Sequence, residues 1–157
     1  MKSPFACLAG TWEKAEFVEE ATGWIRLVSP CHGVLYDRVE GQLGPSLYPR
    51  IIALGEKILG TSDQLTIFND WEGMTEYVAA ARNDLTSWVF QHRGRIAGIH
   101  FVTRSMKVTL GVVLAGSAFR VVRHHKSRTG FEAALEEAMG RRGRPRRTQP
   151  GTTSGVP

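Results

Sequence analysis

Cysteine is scarce in this chain: of 157 residues only Cys7 and Cys31 carry a thiol. They form no CxxC pair and are too few for a disulfide framework, so a reducing compartment, the cytoplasm, is expected. Long apolar runs are missing too. The least polar stretch, residues 108–119, falls well short of the ~20 residues of a membrane span. At the N-terminus Lys2 precedes an apolar run too short for a signal peptide, ended by Trp12, Glu13 and Lys14, so no secretion is expected. Acidic residues are absent after Glu137, whereas residues 141–147 hold five arginines. Residues 1–138 balance fifteen basic against fifteen acidic groups, so the net charge of +5 belongs to the tail. With 42% hydrophobic and 22% charged residues, the remainder suits one globular domain and excludes a collagen, a disordered polyampholyte and a membrane bundle.

Local patterning supplies the elements. Residues 23–28 and 34–39 are β-branched and aromatic and are separated by Pro30 and Gly33, which predicts two neighbouring strands. Leu47, Ile51, Leu54 and Ile58 recur at helical spacing; Pro49 falls in the first turn, where no backbone N–H is needed, and Gly60 stops the helix. A short strand is predicted over 65–68, ending at Asn69 and Asp70. A second helix is predicted from Thr75, with Tyr77, Ala81, Leu85, Trp88 and His92 on its inner stripe and Gly94 after it. Residues 96–103 suit a buried strand. Residues 105–119 fit both period two and a helical period, which periodicity alone does not separate. A last short strand over 119–122 and a helix over 131–139 follow. Alternating strands and helices imply a mixed or parallel sheet covered by helices: an α/β domain of four to five strands and about four helices over 23–139, preceded by an N-terminal extension (1–22). Residues 140–157 are chiefly Gly, Pro, Arg, Thr and Ser, with Val156 the sole aliphatic residue and little apolar surface to offset ordering entropy, and are expected to be a disordered basic tail.

This order of elements resembles the STAS fold of bacterial anti-anti-sigma factors, and more closely the SpoIIAA-like family, over roughly residues 23–138. The stretch Leu65-Thr66-Ile67-Phe68-Asn69-Asp70-Trp71-Glu72-Gly73-Met74 is like a strand entering the family's functional loop. The stretch from Phe119-Arg120-Val121-Val122 to Phe131-Glu132-Ala133-Ala134-Leu135 is similar to its closing strand, loop and helix. The resemblance implies a crossover helix for 105–119 and regulation by binding, without catalysis. It also implies a phosphorylatable Ser or Thr after an Asp at the helix start. Here Trp71 follows Asp70, and the first hydroxyl is Thr75, which reads first as a helix N-cap.

Two candidate binding sites follow. Trp71 and Met74, placed in a loop beside Asp70 and Glu72 and followed by Thr75, would make a patch for a protein partner. In the tail, Arg141-Arg142-Gly143-Arg144-Pro145-Arg146-Arg147 resembles an AT-hook, in which Arg142, Gly143, Arg144, Pro145 and Arg146 would follow a narrow A·T minor groove. A solvated tail attracting polyanions nonspecifically is its plainer reading. His32, His92, His100, His124 and His125 have no metal-ligand spacing, and the adjacent His124 and His125 would point to opposite faces of a strand. Cys31 beside His32 lacks an orienting partner for a nucleophile, and residues 41–45 lack the Lys-Ser/Thr of a P-loop. Arg82, Arg93, Arg95 and Arg104 read as a solvated face. The expectation is a non-enzymatic regulatory or protein-interaction module, with DNA association through the tail as the alternative, and with neither metal nor cofactor.

Overall fold

The computed structural model describes residue 8 and residues 10–142. After a short 3-10 turn, Trp12–Lys14, the strands are β1 (Glu16–Glu20), β2 (Gly23–Val28), β3 (Val34–Leu43), β4 (Leu65–Tyr77), β5 (Ile96–Thr103) and β6 (Val122–His125). The helices are α1 (Tyr48–Leu59), α2 (Ala79–Gln91), α3 (Met106–Gly116) and α4 (Arg128–Arg142). The six strands form one sheet in chain order. β1 to β3 are antiparallel neighbours, and β3 to β6 are parallel.

Parallel neighbours need crossovers, and crossovers are right-handed. Because β3, β4, β5 and β6 succeed one another across the sheet, α1, α2 and α3 all fall on one face. There Ile51, Ile58, Ala81, Trp88, Val108 and Val112 bury against Leu35, Ile67, Trp71 and Ile99. α4 follows the last strand and covers part of the other face, where Phe131 and Leu135, one helical turn apart, pack with Tyr36, Phe68, Val102 and Leu8. Alternation along each strand divides the residues between the two cores. At the α1–α2 crossing Gly55 lies against the Trp88 ring, where a Cβ would come within 2.6 Å of Cζ2. Trp88 Nε1 also donates to Glu56 Oε1 at 2.7 Å.

Several expectations are corrected. The sheet has six strands instead of four or five, because residues 16–20, assigned to an extension, form the edge strand β1. With Glu16, Glu19 and Glu20 along it, β1 is the charged edge that discourages sheet-to-sheet association. The strand predicted to stop at residue 68 continues through Tyr77, so 69–74 is not a loop. Thr75 is no N-cap; that position is Val78. The closing strand lies at 122–125, after a turn at 117–121, and α4 begins three residues earlier than predicted. Within residues 105–119 the helix is Met106–Gly116, capped by Ser105, whose side chain accepts from the Val108 N–H. Residues 140–142, assigned to the tail, close α4; residues 143–157, and with them Gly143, Arg144, Pro145 and Arg146, lie outside the described residues, as does Cys7. Arg142 ends α4.

Candidate functional site

The expected recognition loop is interior structure. On β4, Trp71 faces the three-helix core and is 7% exposed, Met74 is 1% exposed, and Asp70, on the opposite face, is 1% exposed. Glu72 is half-buried, and Thr75 is exposed near a register shift between β3 and β4. These five residues therefore form no common outward patch.

Their polar atoms are tied to distant segments. Asp70 Oδ2 accepts from the Tyr36 hydroxyl at 2.7 Å, and Asp70 Oδ1 from Arg128 Nη2 at 2.6 Å. Arg128 also donates from Nε to Glu72 Oε2 at 2.8 Å and reaches Glu132 at 3.5 Å. Burial opposes the guanidinium's charge, but its bonds to Asp70 and Glu72 outweigh that and hold its pKa above the ordinary value. Burial, then the charge of Asp70, likewise pushes Tyr36 up. This cluster fastens the start of α4 to β4. On the other face Trp71 Nε1 donates to Asp37 Oδ1 at 2.7 Å.

The histidines behave as expected in one respect: His124 and His125 point to opposite faces. His124 Nε2 meets Thr103 Oγ1 at 2.8 Å, while His125 Nε2 lies 2.9 Å from His100 Nδ1 in a stack continued by Phe68. Burial, His125 and Arg123 push His100 down to about 4. Among the described residues no three His, Cys, Asp or Glu side chains converge on one point. Cys31 is half-buried in the turn before β3, and His32 beside it is exposed.

The surface that stands out is the α2–α3 face, which sequence reasoning missed. α3, MKVTLGVVLAG, is apolar nearly all round. Val108, Gly111 and Val112 face the core, which leaves Met106, Leu110, Val113 and Leu114 outward at 86%, 59%, 50% and 63% exposure. Their i, i+4, i+7, i+8 spacing makes one stripe. Large side chains exposed together mark an interaction surface far better than single ones. Charge adds to the signal: no acidic residue occurs between Asp84 and Glu132, whereas eight Lys and Arg do. A balanced total over residues 1–138 conceals this segregation.

Between α2 and α3 lies a groove lined by Arg82, Asn83, Thr86, Ser87, Leu114 and Ala115. Beneath it is a cavity of about 100 Å³ bounded by Leu85 and Val89 of α2, Val112 of α3, Ile67 and Trp71 of β4, and Ile99 and Phe101 of β5; Arg82, Thr86 and Ala115 border both. At ~24 cal/mol per Å³, a void of this size forfeits about 2 kcal/mol of packing, so the fold carries it at a cost. The Arg82 guanidinium forms no ion pair among the described residues, and no helix there is long and apolar enough to cross a membrane.

No protein-family model matches the sequence, and no curated protein matches it. Among solved structures, the chain is similar to an uncharacterized protein of the DUF3478 family with a SpoIIAA-like fold, from Shewanella loihica PV-4. The two share 10% sequence identity with a TM-score of 0.53, over 77% of this chain and 91% of that one. At that identity the likeness concerns the fold alone, and the fold of this chain is SpoIIAA-like.

Proposed function

We propose that the domain is a non-enzymatic interaction module of the STAS type whose contact surface is the outward face of α3, and that its partner presents an apolar segment flanked by acidic residues. The observation that carries this reading is the stripe Met106, Leu110, Val113 and Leu114 on the acid-free part of the chain. The buried ionisable groups Asp70 and Asp37 are engaged in holding the sheet, which favours binding over chemistry. A phosphoswitch has no support at the start of α2, because Val78, Ala79, Ala80 and Ala81 offer no hydroxyl.

A photo-crosslinking residue at Leu110, compared with one at Glu136 on α4, tests the assignment. A partner should be caught from position 110 and not from 136, and Leu110→Ser with Leu114→Ser should weaken its affinity at least tenfold, the scale of hot-spot residues. Equal capture from both positions, or cross-linking only to a second copy of the chain, would overturn it.

The five arginines of residues 141–147 support a second reading, association with DNA. If all five neutralise phosphates, the log–log salt slope is about −4 to −5. Gly143→Ala with Pro145→Ala keeps every charge, so it should erase a preference for A·T-rich duplexes while leaving nonspecific binding. Equal wild-type binding to A·T-rich and G·C-rich duplexes would reduce the tail to a general polyanion contact.

A further inference from the structure

We propose that the cavity beneath the α2–α3 groove is a binding site for a small monocarboxylate, with a short alkyl group inside and the carboxylate held at the mouth by Arg82. This site is distinct from the α3 stripe, with which it shares only Leu114 at the rim of the groove.

Three observations converge. The interior wall is apolar, built from Ile67, Trp71, Leu85, Val89, Ile99 and Phe101, and such a wall recognises shape and hydrophobicity rather than hydrogen-bonding groups. The volume of about 100 Å³ is about two-thirds of that of a cavity which admits benzene, ~150 Å³, so about four carbons fit, and a longer chain would emerge into the groove. At the mouth, where cavity and groove share Arg82, Thr86 and Ala115, Arg82 is the one charged side chain of the lining and makes no ion pair among the described residues. A guanidinium presents paired N–H donors that match a carboxylate bidentately, and Thr86, one helical turn along α2, lines the same mouth. An apolar body ending in a single planar anion is the chemistry this arrangement fits.

Calorimetric titration of the full chain with butanoate, hexanoate, octanoate and decanoate tests the inference, with 1-hexanol and 1-octanol as uncharged counterparts. Affinity should rise about fourfold per methylene and level off at about five to six carbons, when the cavity is filled. Arg82→Gln should weaken octanoate by about tenfold or more, as loss of a charge-assisted pair does, and leave octanol unchanged. Ala115→Phe, which fills the mouth, should abolish both; if that variant does not fold, Val89→Phe serves the same purpose. Methyl resonances of Ile67, Leu85 and Val112 should shift with octanoate in the wild type, and Leu110→Ser should leave these responses unaltered. Absence of chain-length dependence, equal weakening of octanoate and octanol by Arg82→Gln, or binding that persists in the filled variants would overturn the proposal.

Discussion

Arg128→Met should lower the free energy of unfolding by about 3–5 kcal/mol, the scale on which removing one partner of a buried ion pair destabilises a protein. The guanidinium is one-quarter exposed and Asp70 almost wholly buried. The substitution leaves the Asp70 carboxylate with only the Tyr36 hydroxyl, facing the acids Glu72 and Glu132 without the cation between them. Methionine preserves most of the apolar stem, so the loss reports charge and hydrogen bonding more than packing. A second substitution identifies the cause. Asp70→Asn in the Arg128→Met background should recover part of the loss, because a neutral amide still accepts from Tyr36 and no longer buries a charge. Urea unfolding of the four proteins gives the coupling directly. A loss under 1 kcal/mol would place Arg128 with ordinary surface pairs and α4's attachment with Phe131 and Leu135 alone.

The elements legible in the sequence are those whose stabilisation is local or periodic. α1 shows its apolar spacing, its early proline and its terminal glycine; β2, β3 and β5 show dense β-branched content. β1 escaped because its Glu-rich pattern suits an edge, which gains stability from pairing with β2 and little from its own hydrophobicity. The far half of β4 escaped for a related reason. Asn69, Asp70, Glu72 and Thr75 look like a loop when their partners are unknown, yet Asp70 answers Tyr36 and Arg128, residues 34 and 58 positions away. No local window contains those pairings. The helical character of 105–119 is decided by packing: Val108, Gly111 and Val112 meet the sheet, which a strand would not arrange.

The candidate site was legible in part. The stripe on α3 is implicit in the letters of residues 106–114, once a helix is granted, and the acid-free span from 85 to 131 can be counted. What the sequence does not contain is the opening between α2 and α3, which depends on how the two helices sit over β4 and β5. In the sequence Trp71 reads as a recognition residue, because aromatic side chains beside acids mark many interfaces. In the fold it occupies the core, and its indole N–H serves a buried acid.

That acid, Asp37, carries the second large expectation. It lies on β3 between Leu35 and Val39, is fully buried, receives one bond from Trp71, and its Oδ2 has no hydrogen-bond partner. Burial pushes its pKa up to about 8; the Trp71 bond works against the shift, and the charge of Asp70 adds to it. The native state therefore keeps a proton that the unfolded chain releases near the ordinary carboxylate value, so stability falls as pH rises between about 4 and 8, by about 1.4 kcal/mol per unit where the difference is complete. The stacked His100 and His125 act in the opposite sense. Burial lowers both, so the stability of their neutral forms is present above about pH 6.5 and is lost as pH falls toward 4. The two slopes offset each other over the acidic range, and above pH 6.5 Asp37 acts alone. Wild-type stability should consequently drop by about 2 kcal/mol from pH 6.5 to 8, on the order of 8 °C in Tm. Asp37→Asn keeps an oxygen for the Trp71 N–H and has nothing to ionise. Its melting temperature should match wild type near pH 5, stay level from 6.5 to 8, and exceed wild type at pH 8. If the variant declines over that interval as steeply as the wild type, the proton released there belongs to another group, and the carboxyl of Asp37 is ionised or hydrated within the fold.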